Sequence, residues 1–160
     1  MKIDFILNGK PVAIDTKPER RLVDVLRDDF GLLSVKNSCY AGECGGCTVL
    51  MDKQTVPSCH IPVFSVRSKQ ITTMEGFRGT EKYLDIYKAF EEAEALPCQF
   101  CFAGKVFAVD RLIDNRRIPE TDEIMALLAD HGCNCTSVSA FIKAVRTAYQ
   151  NREIRGELMR

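Results

Sequence analysis

The sequence predicts an α+β protein in two parts: a small mixed sheet crossed by one helix, then a bundle of four helices. Strand-like alternation and turn signals fill the chain up to Gly76, whereas the residues after it favour helices. The eight cysteines also divide into two sets of four, one in each part. We expect domains at 1–76 and 77–160, each stabilised by a metal centre, because halves of about 80 residues have marginal cores.

The first part is predicted to run strand, turn, strand, helix and then three more strands. Residues 2–7 alternate loosely, Asn8-Gly9 is a strong hairpin signal, and residues 11–14 form the returning strand. A short helix with an apolar face ends near Gly31; that face comprises Leu22, Val25, Leu26 and Phe30. Further strands are predicted at 48–51, 55–64 and 70–73, and Cys59 lies on the second of these.

The second part is predicted to contain helices at 81–95, 103–114, 119–130 and 137–150. Pro97 is expected to end the first helix, and Ser137 to cap the start of the last one. The second helix has an apolar stripe at helical spacing, formed by Val106, Val109, Leu112 and Ile113. Short links between four helices favour a compact bundle.

The first cysteine set has the spacing of a plant-type [2Fe–2S] site. It reads Cys39-x4-Cys44-x2-Cys47, with the fourth member at Cys59, and we predict that these four residues hold the first cluster. Three glycines keep the loop bare, so that backbone N–H groups can point at the sulfurs; they are Gly42, Gly45 and Gly46. Structural zinc and disulfides are weaker alternatives, because zinc sites usually pair two short knuckles and disulfides are rare in a reducing compartment.

The second cysteine set consists of Cys98-x2-Cys101 and Cys133-x-Cys135, and we predict that it holds a second [2Fe–2S] cluster. Each pair precedes a predicted helix, whose N-terminal dipole favours an anionic centre. This spacing alone is less specific, and a four-thiolate zinc site fits it too. The presence of the first set favours iron and sulfide.

Composition narrows the function and the location. The 22 basic and 22 acidic residues cancel, which argues against a nucleic-acid partner and gives no reason to expect a membrane partner. The N-terminal run is too short and too polar for a signal peptide, and no stretch has the length of a membrane span. We therefore expect a cytoplasmic protein. No dinucleotide-binding or P-loop motif is present.

In this order, the two sets resemble the small iron–sulfur subunit of the xanthine oxidase family of molybdenum hydroxylases. That family includes enzymes of the xanthine dehydrogenase, nicotinate dehydrogenase and aldehyde oxidoreductase types. The resemblance covers nearly the whole chain. The segments that carry it, besides the cysteines, are Leu7-Asn8-Gly9, 21–27, Gly31-Leu32, Val35-Lys36, 42–49, Met74-Glu75-Gly76 and Lys88-Ala89-Phe90.

The resemblance implies a β-grasp, plant-type ferredoxin-like domain followed by a four-helix bundle, with one [2Fe–2S] cluster in each. It implies a large partner subunit that binds molybdopterin, in its cytosine dinucleotide form, and a flavin subunit that binds FAD. Electrons would pass from molybdenum through both clusters to the flavin subunit or an external acceptor. The chain would thus be a subunit of an oxidoreductase that binds no substrate and has no catalytic residue.

Two departures from the family pattern lie beside the second set. Where the family has a glutamine that contacts the pterin, this chain has Pro97, which cannot make that side-chain hydrogen bond. Where the family has arginine between the last two cysteines, it has Asn134. Cys135 matches the family cysteine that approaches the pterin, and we expect it to make the molybdopterin contact.

Other interpretations are a free ferredoxin-like carrier or redox sensor, and a zinc-stabilised binding module. The helical half argues against the first, because a free ferredoxin needs no second domain. His60 and His131 are expected to be structural, since both cysteine sets are already complete. Phe100 and Phe102 either shield the inner cluster from water or are ordinary core aromatics.

Overall fold

The computed structural model describes residues 1–156 and combines a five-stranded mixed sheet with a helical half, which confirms the α+β class. The sheet has the order β2-β1-β5-β3-β4. Its strands are β1 (Lys2–Leu7), β2 (Lys10–Asp15), β3 (Thr48–Met51), β4 (Gln54–Pro57) and β5 (Gln70–Thr72). β1 pairs with β5 in parallel, and the other neighbouring strands are antiparallel.

The N-terminal hairpin forms as the sequence predicts. Asn8 and Gly9 have φ angles of 50° and 80°, the left-handed values that a two-residue turn between twisted strands requires. Alternate residues of β1 are buried in the apolar core of the first half, and they are Ile3, Phe5 and Leu7. The hairpin thus provides one wall of the first core.

The helix across the sheet is less regular than its sequence pattern predicts. An α-helical turn, α1 (Leu22–Asp24), continues into a π-helical turn at Val25–Asp29. Its apolar face is buried at Leu22, Val25 and Leu26. Gly31 follows with φ of 66° and donates its N–H to the Arg27 carbonyl, so the helix ends where the sequence indicates.

The strand predicted at 55–64 is wrong beyond Pro57. Residues Ser58–His60 and Val63–Val66 form 3₁₀ turns instead. The backbone N–H and the hydroxyl of Ser58 both donate to the Cys47 carbonyl, at 3.2 and 2.7 Å, and bend the chain out of the sheet. The strands predicted at 48–51 and 70–73 are confirmed as β3 and β5.

In the described part of the chain, five helices follow the sheet: α2 (Met74–Phe77), α3 (Glu81–Glu92), α4 (Phe102–Ile113), α5 (Thr121–Ala129) and α6 (Val138–Ile154). The last four correspond to the predicted bundle. α3 ends before the predicted Pro97, with Glu94 in a left-handed conformation. The Ser137 hydroxyl accepts from the Ala140 N–H at the start of α6, as the sequence predicts. The short α2 spans the predicted boundary between 76 and 77, which stays a prediction.

The two halves bury separate apolar cores, one beneath the sheet and one between α3, α4, α5 and α6. Within residues 1–156, no helix combines the length and the apolar composition needed to cross a membrane.

The helical core also contains a buried ion-pair network around Arg152, whose side chain is fully buried. From α6, its guanidinium reaches Asp85 of α3 at 3.4 Å, Asp110 of α4 at 2.8 Å and Asp114, which follows α4, at 2.6 Å. Burial raises the pKa of the Asp110 carboxyl, and the Arg152 charge partly offsets that rise. The network fixes three helices relative to one another.

Candidate metal centres

The second cysteine set comes together at one point between the helices of the second half. Cys101 occupies the N-cap position of α4, Cys98 lies just before it, and Cys133 and Cys135 lie between α5 and α6. All four sulfur atoms lie within 4.8 Å of one another. Three of the sulfur–sulfur distances are 3.2 Å for Cys101–Cys135, 3.6 Å for Cys98–Cys133 and 3.7 Å for Cys98–Cys101. The fold therefore brings four thiols from two separate segments together, as a metal site requires.

The surroundings of these thiols differ in polarity. Burial raises the pKa of Cys101, whereas hydrogen bonding from the Cys101 backbone lowers the pKa of Cys98 to about 7. The backbone N–H of Cys98 also points at the Cys135 sulfur, 3.2 Å away. N–H groups directed at sulfur stabilise its anionic form, so the backbone favours negative charge at Cys98 and Cys135, whereas the buried Cys101 needs a cation to ionise.

Lys105 also belongs to this site, although no sequence prediction named it. Its side chain is fully buried, yet its Nζ lies 3.0 Å from the Cys133 carbonyl and 3.6 Å from the Cys135 sulfur. It stands four residues after Cys101, and that spacing places both residues on one face of α4. A lysine at this spacing from a ligand cysteine is the signal that could have identified it.

These residues fit an anionic cluster. A buried ammonium needs a negative partner, and the thiolates of the second set can provide it. Thr136, directly after Cys135, has a buried hydroxyl with no hydrogen-bond partner among the described residues, so one donor is left available there. The sulfur positions alone do not select the metal, because four thiolates about 2.3 Å from one zinc ion would lie about 3.8 Å apart.

The first cysteine set lies on a loop packed against the sheet. Residues 35–47 form an irregular segment that carries Cys39, Cys44 and Cys47. Cys39 is exposed, and its sulfur accepts the Ala41 N–H at 3.4 Å. Cys47 is buried immediately before β3. The loop thus extends from solvent into the core.

Cys59 reaches this loop from a 3₁₀ turn, and its predicted place on a strand is wrong. The two hydrogen bonds from Ser58 to the Cys47 carbonyl hold the turn against the loop. Cys59 and Cys47 are thereby brought side by side, and both are buried. The 3₁₀ turn has the role that the predicted strand would have had, because its fixed backbone holds the Cys59 sulfur against the loop.

The thiols of the first set also contrast in pKa. Backbone hydrogen bonds, chiefly from Ala41 and then Cys44, lower the pKa of Cys39 to about 6. Burial, followed by the hydrogen bond with Cys47, raises the pKa of Cys59 to about 11. The exposed end of the loop therefore favours a thiolate without help, whereas the buried end needs a cation to ionise its sulfur.

The two histidines pack against glycines of the first loop. A Cβ at Gly42 would lie 2.9 Å from the His60 ring, and a Cβ at Gly45 would lie 2.4 Å from the His131 ring. His131 Nδ1 lies 2.9 Å from the Leu127 carbonyl, to which it must donate because that oxygen only accepts. His131 therefore caps the end of α5 while its ring covers the first loop.

The segments that carry the two cysteine sets touch each other. A Cβ at Gly104, in the first turn of α4, would lie 2.4 Å from the Gly45 carbonyl oxygen and 2.9 Å from His131 Nε2. Phe100 lies against Gly46 of the same loop. Backbone meets backbone at Gly104 and Gly45, so side chains separate the two candidate centres very little.

Two family models together match most of the chain. A 2Fe-2S iron-sulfur cluster binding domain matches residues 5–73, and a [2Fe-2S] binding domain matches residues 73–146. These matches support one [2Fe–2S] cluster in each half and favour it over the zinc alternative.

Curated relatives and solved structures agree with the family models. The nicotinate dehydrogenase small FeS subunit of Eubacterium barkeri is 36% identical, over 92% of this chain and 94% of its own length. The xanthine dehydrogenase iron-sulfur-binding subunit of Escherichia coli O157:H7 is 34% identical, over 89% of this chain and 91% of its own. The crystal structure of quinoline 2-oxidoreductase from Pseudomonas putida 86 includes a chain that is 32% identical and superposes with a TM-score of 0.84, covering 98% of both chains.

Proposed function

The chain belongs to the iron–sulfur small subunits of the xanthine oxidase family of molybdenum hydroxylases, and we propose that its two cysteine sets form a two-step electron relay. The chain is an electron-transfer subunit of an oxidoreductase and binds no substrate itself. We assign Cys39, Cys44, Cys47 and Cys59 to the first cluster. We assign Cys98, Cys101, Cys133 and Cys135 to the second.

The contact between Gly45 and Gly104 carries this proposal. Each bound [2Fe–2S] centre supplies a one-electron carrier, and the protein contributes its position and its electrostatic surroundings. Because the loop with Cys44 and Cys47 abuts the helix that starts at Cys101, the two centres would be neighbours. The buried His131 ring packs into the same contact.

The exposed side of the second set is the face we assign to the large molybdopterin-binding subunit. Cys98 and Cys135 are exposed, although both belong to a proposed cluster site. Leu96 and Phe100 expose 41% and 37% of their surface close to Cys98 in the chain. Exposed apolar side chains beside exposed cluster ligands favour burial by a partner.

Cys135 is the residue we propose for the pterin contact. Pro97, at the position of the family's glutamine, is buried and offers no side-chain donor. Cys135 is exposed at the same site, and the Cys98 N–H fixes its sulfur. We further propose that the pterin is the cytosine dinucleotide form on the large subunit.

The first set is the proposed outlet of the relay. Cys39 is exposed on the loop, which leaves a route from the first cluster to a flavin subunit carrying FAD or to an external acceptor. Since the eight cysteines serve as metal ligands in this proposal, the cytoplasm is the compartment that suits them.

Affinity purification of the tagged chain from its native host tests the proposal. We expect a large subunit containing molybdopterin to co-purify in stoichiometric amount, and we expect its substrate to reduce the clusters of the assembly. A chain that carries iron and sulfide but purifies alone would favour the independent carrier. Zinc without sulfide would favour the binding module.

A further inference from the structure

Lys105 is the buried charge of the helical half that the Arg152 network leaves unexplained. Its side chain is fully buried, and it forms no ion pair with a carboxylate among residues 1–156. A buried ammonium without a counter-charge is costly, so such groups are normally paired with an anion. The anionic partner within reach is the second cysteine set.

The Lys105 ammonium has two polar neighbours in that cysteine set and an aromatic ring close by. Nζ lies 3.0 Å from the Cys133 carbonyl and 3.6 Å from the Cys135 sulfur, and it stands 5.7 Å from the centre of the Phe141 ring. The aromatic face favours a cation and excludes water from it. Lys105 is therefore a desolvated positive charge held next to a proposed ligand.

We infer that Lys105 is a positioning residue that raises the reduction potential of the second cluster. The inference rests on the proposed function, because it needs a [2Fe–2S] centre at the second set. One electron added to that centre increases its negative charge by one, with no proton transferred and no bond broken. The Lys105 charge stabilises the added negative charge, and in a buried site water screens it little.

This charge favours the first electron transfer of the proposed relay. A higher potential at the second cluster favours its reduction by the molybdenum centre of the partner subunit, which supplies the electron in the proposed function. The hydrogen bond to the Cys133 carbonyl also orders the exposed loop that carries Cys133 and Cys135.

Two neutral variants of the purified full chain separate the charge from the hydrogen bond. Lys105→Met keeps the apolar stem without a charge, and Lys105→Gln keeps an N–H donor for the Cys133 carbonyl. Lys88→Met, at an exposed lysine of α3, is the matched control. Iron content and redox titration followed by EPR are measured for each protein. Cys59→Ser should perturb the EPR signal of the first cluster, and Cys133→Ser should perturb that of the second. These two variants therefore assign the signals.

We expect both neutral variants to keep their iron and to show a more negative potential for the second cluster. Removing a nearby buried charge should lower its reduction equilibrium constant about tenfold or more, which is about 59 mV for a one-electron couple. The potential of the first cluster should be unchanged in the neutral variants, and both potentials should be unchanged in Lys88→Met. An unchanged potential in an iron-loaded neutral variant, or loss of the second cluster from both, would overturn this inference alone. Absence of the second signal from the unmodified chain would overturn the proposed function, and this inference with it.

Discussion

Gly104 of α4 rests directly on the carbonyl oxygen of Gly45, and this contact joins the two segments that carry the cysteine sets. A methyl group at Gly104 would lie 2.4 Å from that oxygen, a separation that no side chain tolerates. The glycine is therefore required for close packing. Its helical position would otherwise favour alanine by about 1 kcal/mol.

Gly104→Ala is predicted to destabilise the chain despite this better helix propensity. The added methyl group must displace backbone, and overpacking of this kind costs about 1–3 kcal/mol. Urea unfolding measures the change. The control is Gly79→Ala, because a Cβ there meets nothing within 4 Å, and it should change stability by less than about 0.5 kcal/mol. Equal stability of both variants would contradict the close contact.

Each cysteine set is predicted to hold its own iron. If the unmodified chain holds about four iron atoms in two clusters, then Cys47→Ala and Cys101→Ala should each retain about two. Both residues are buried, which disfavours a solvent ligand in their place. Iron and sulfide analysis with EPR gives the result. Loss of all iron from either variant would mean that the sites are not independent.

Arg152→Met is predicted to destabilise the helical half by about 3–5 kcal/mol, because it leaves the buried Asp110 carboxylate without its ion-pair partner. Asp85 keeps its ion pair with Arg155, and Asp114 keeps its ion pair with Lys82. Thermal unfolding compares this variant with Arg111→Met, an exposed arginine of α4. Similar unfolding temperatures for the two variants would contradict the proposed role of the network.

Thiol reactivity in the iron-free chain is predicted to follow the pKa contrast in the first loop. Alkylation needs the thiolate, so Cys39, with a pKa of about 6, should react rapidly at pH 7.5 and gain little above it. Cys59, with a pKa of about 11 and a buried sulfur, should react slowly at pH 7.5. Its reaction should become faster as the pH rises toward that pKa. Mass spectrometry after iodoacetamide treatment distinguishes them. Faster labelling of Cys59 would contradict the order.

Local sequence signals predicted most of the elements. Asn8-Gly9 determined the hairpin, Gly31 ended the first helix, and Ser137 began the last one, because each acts through its own backbone conformation or hydrogen bond. The family resemblance predicted the ferredoxin-like and helical halves. The segments that carry this resemblance include residues next to the cysteines as well as the cysteines themselves.

Features that depend on tertiary contacts were not predictable in the same way. The bend at Ser58 forms because that residue bonds to Cys47, eleven positions earlier. Pro57, one residue before the bend, was a signal against continuing the strand. The sequence pattern also treated Lys105 as an ordinary helix residue, because its burial depends on the position of Cys133 in another segment.

Redox titration of the purified chain, followed by EPR and paired with iron and sulfide analysis, determines whether the two cysteine sets hold [2Fe–2S] clusters. We expect about four iron and four sulfide per chain and two distinct one-electron [2Fe–2S] signals. Zinc in place of iron, with no inorganic sulfide and no EPR signal on reduction, would contradict this expectation.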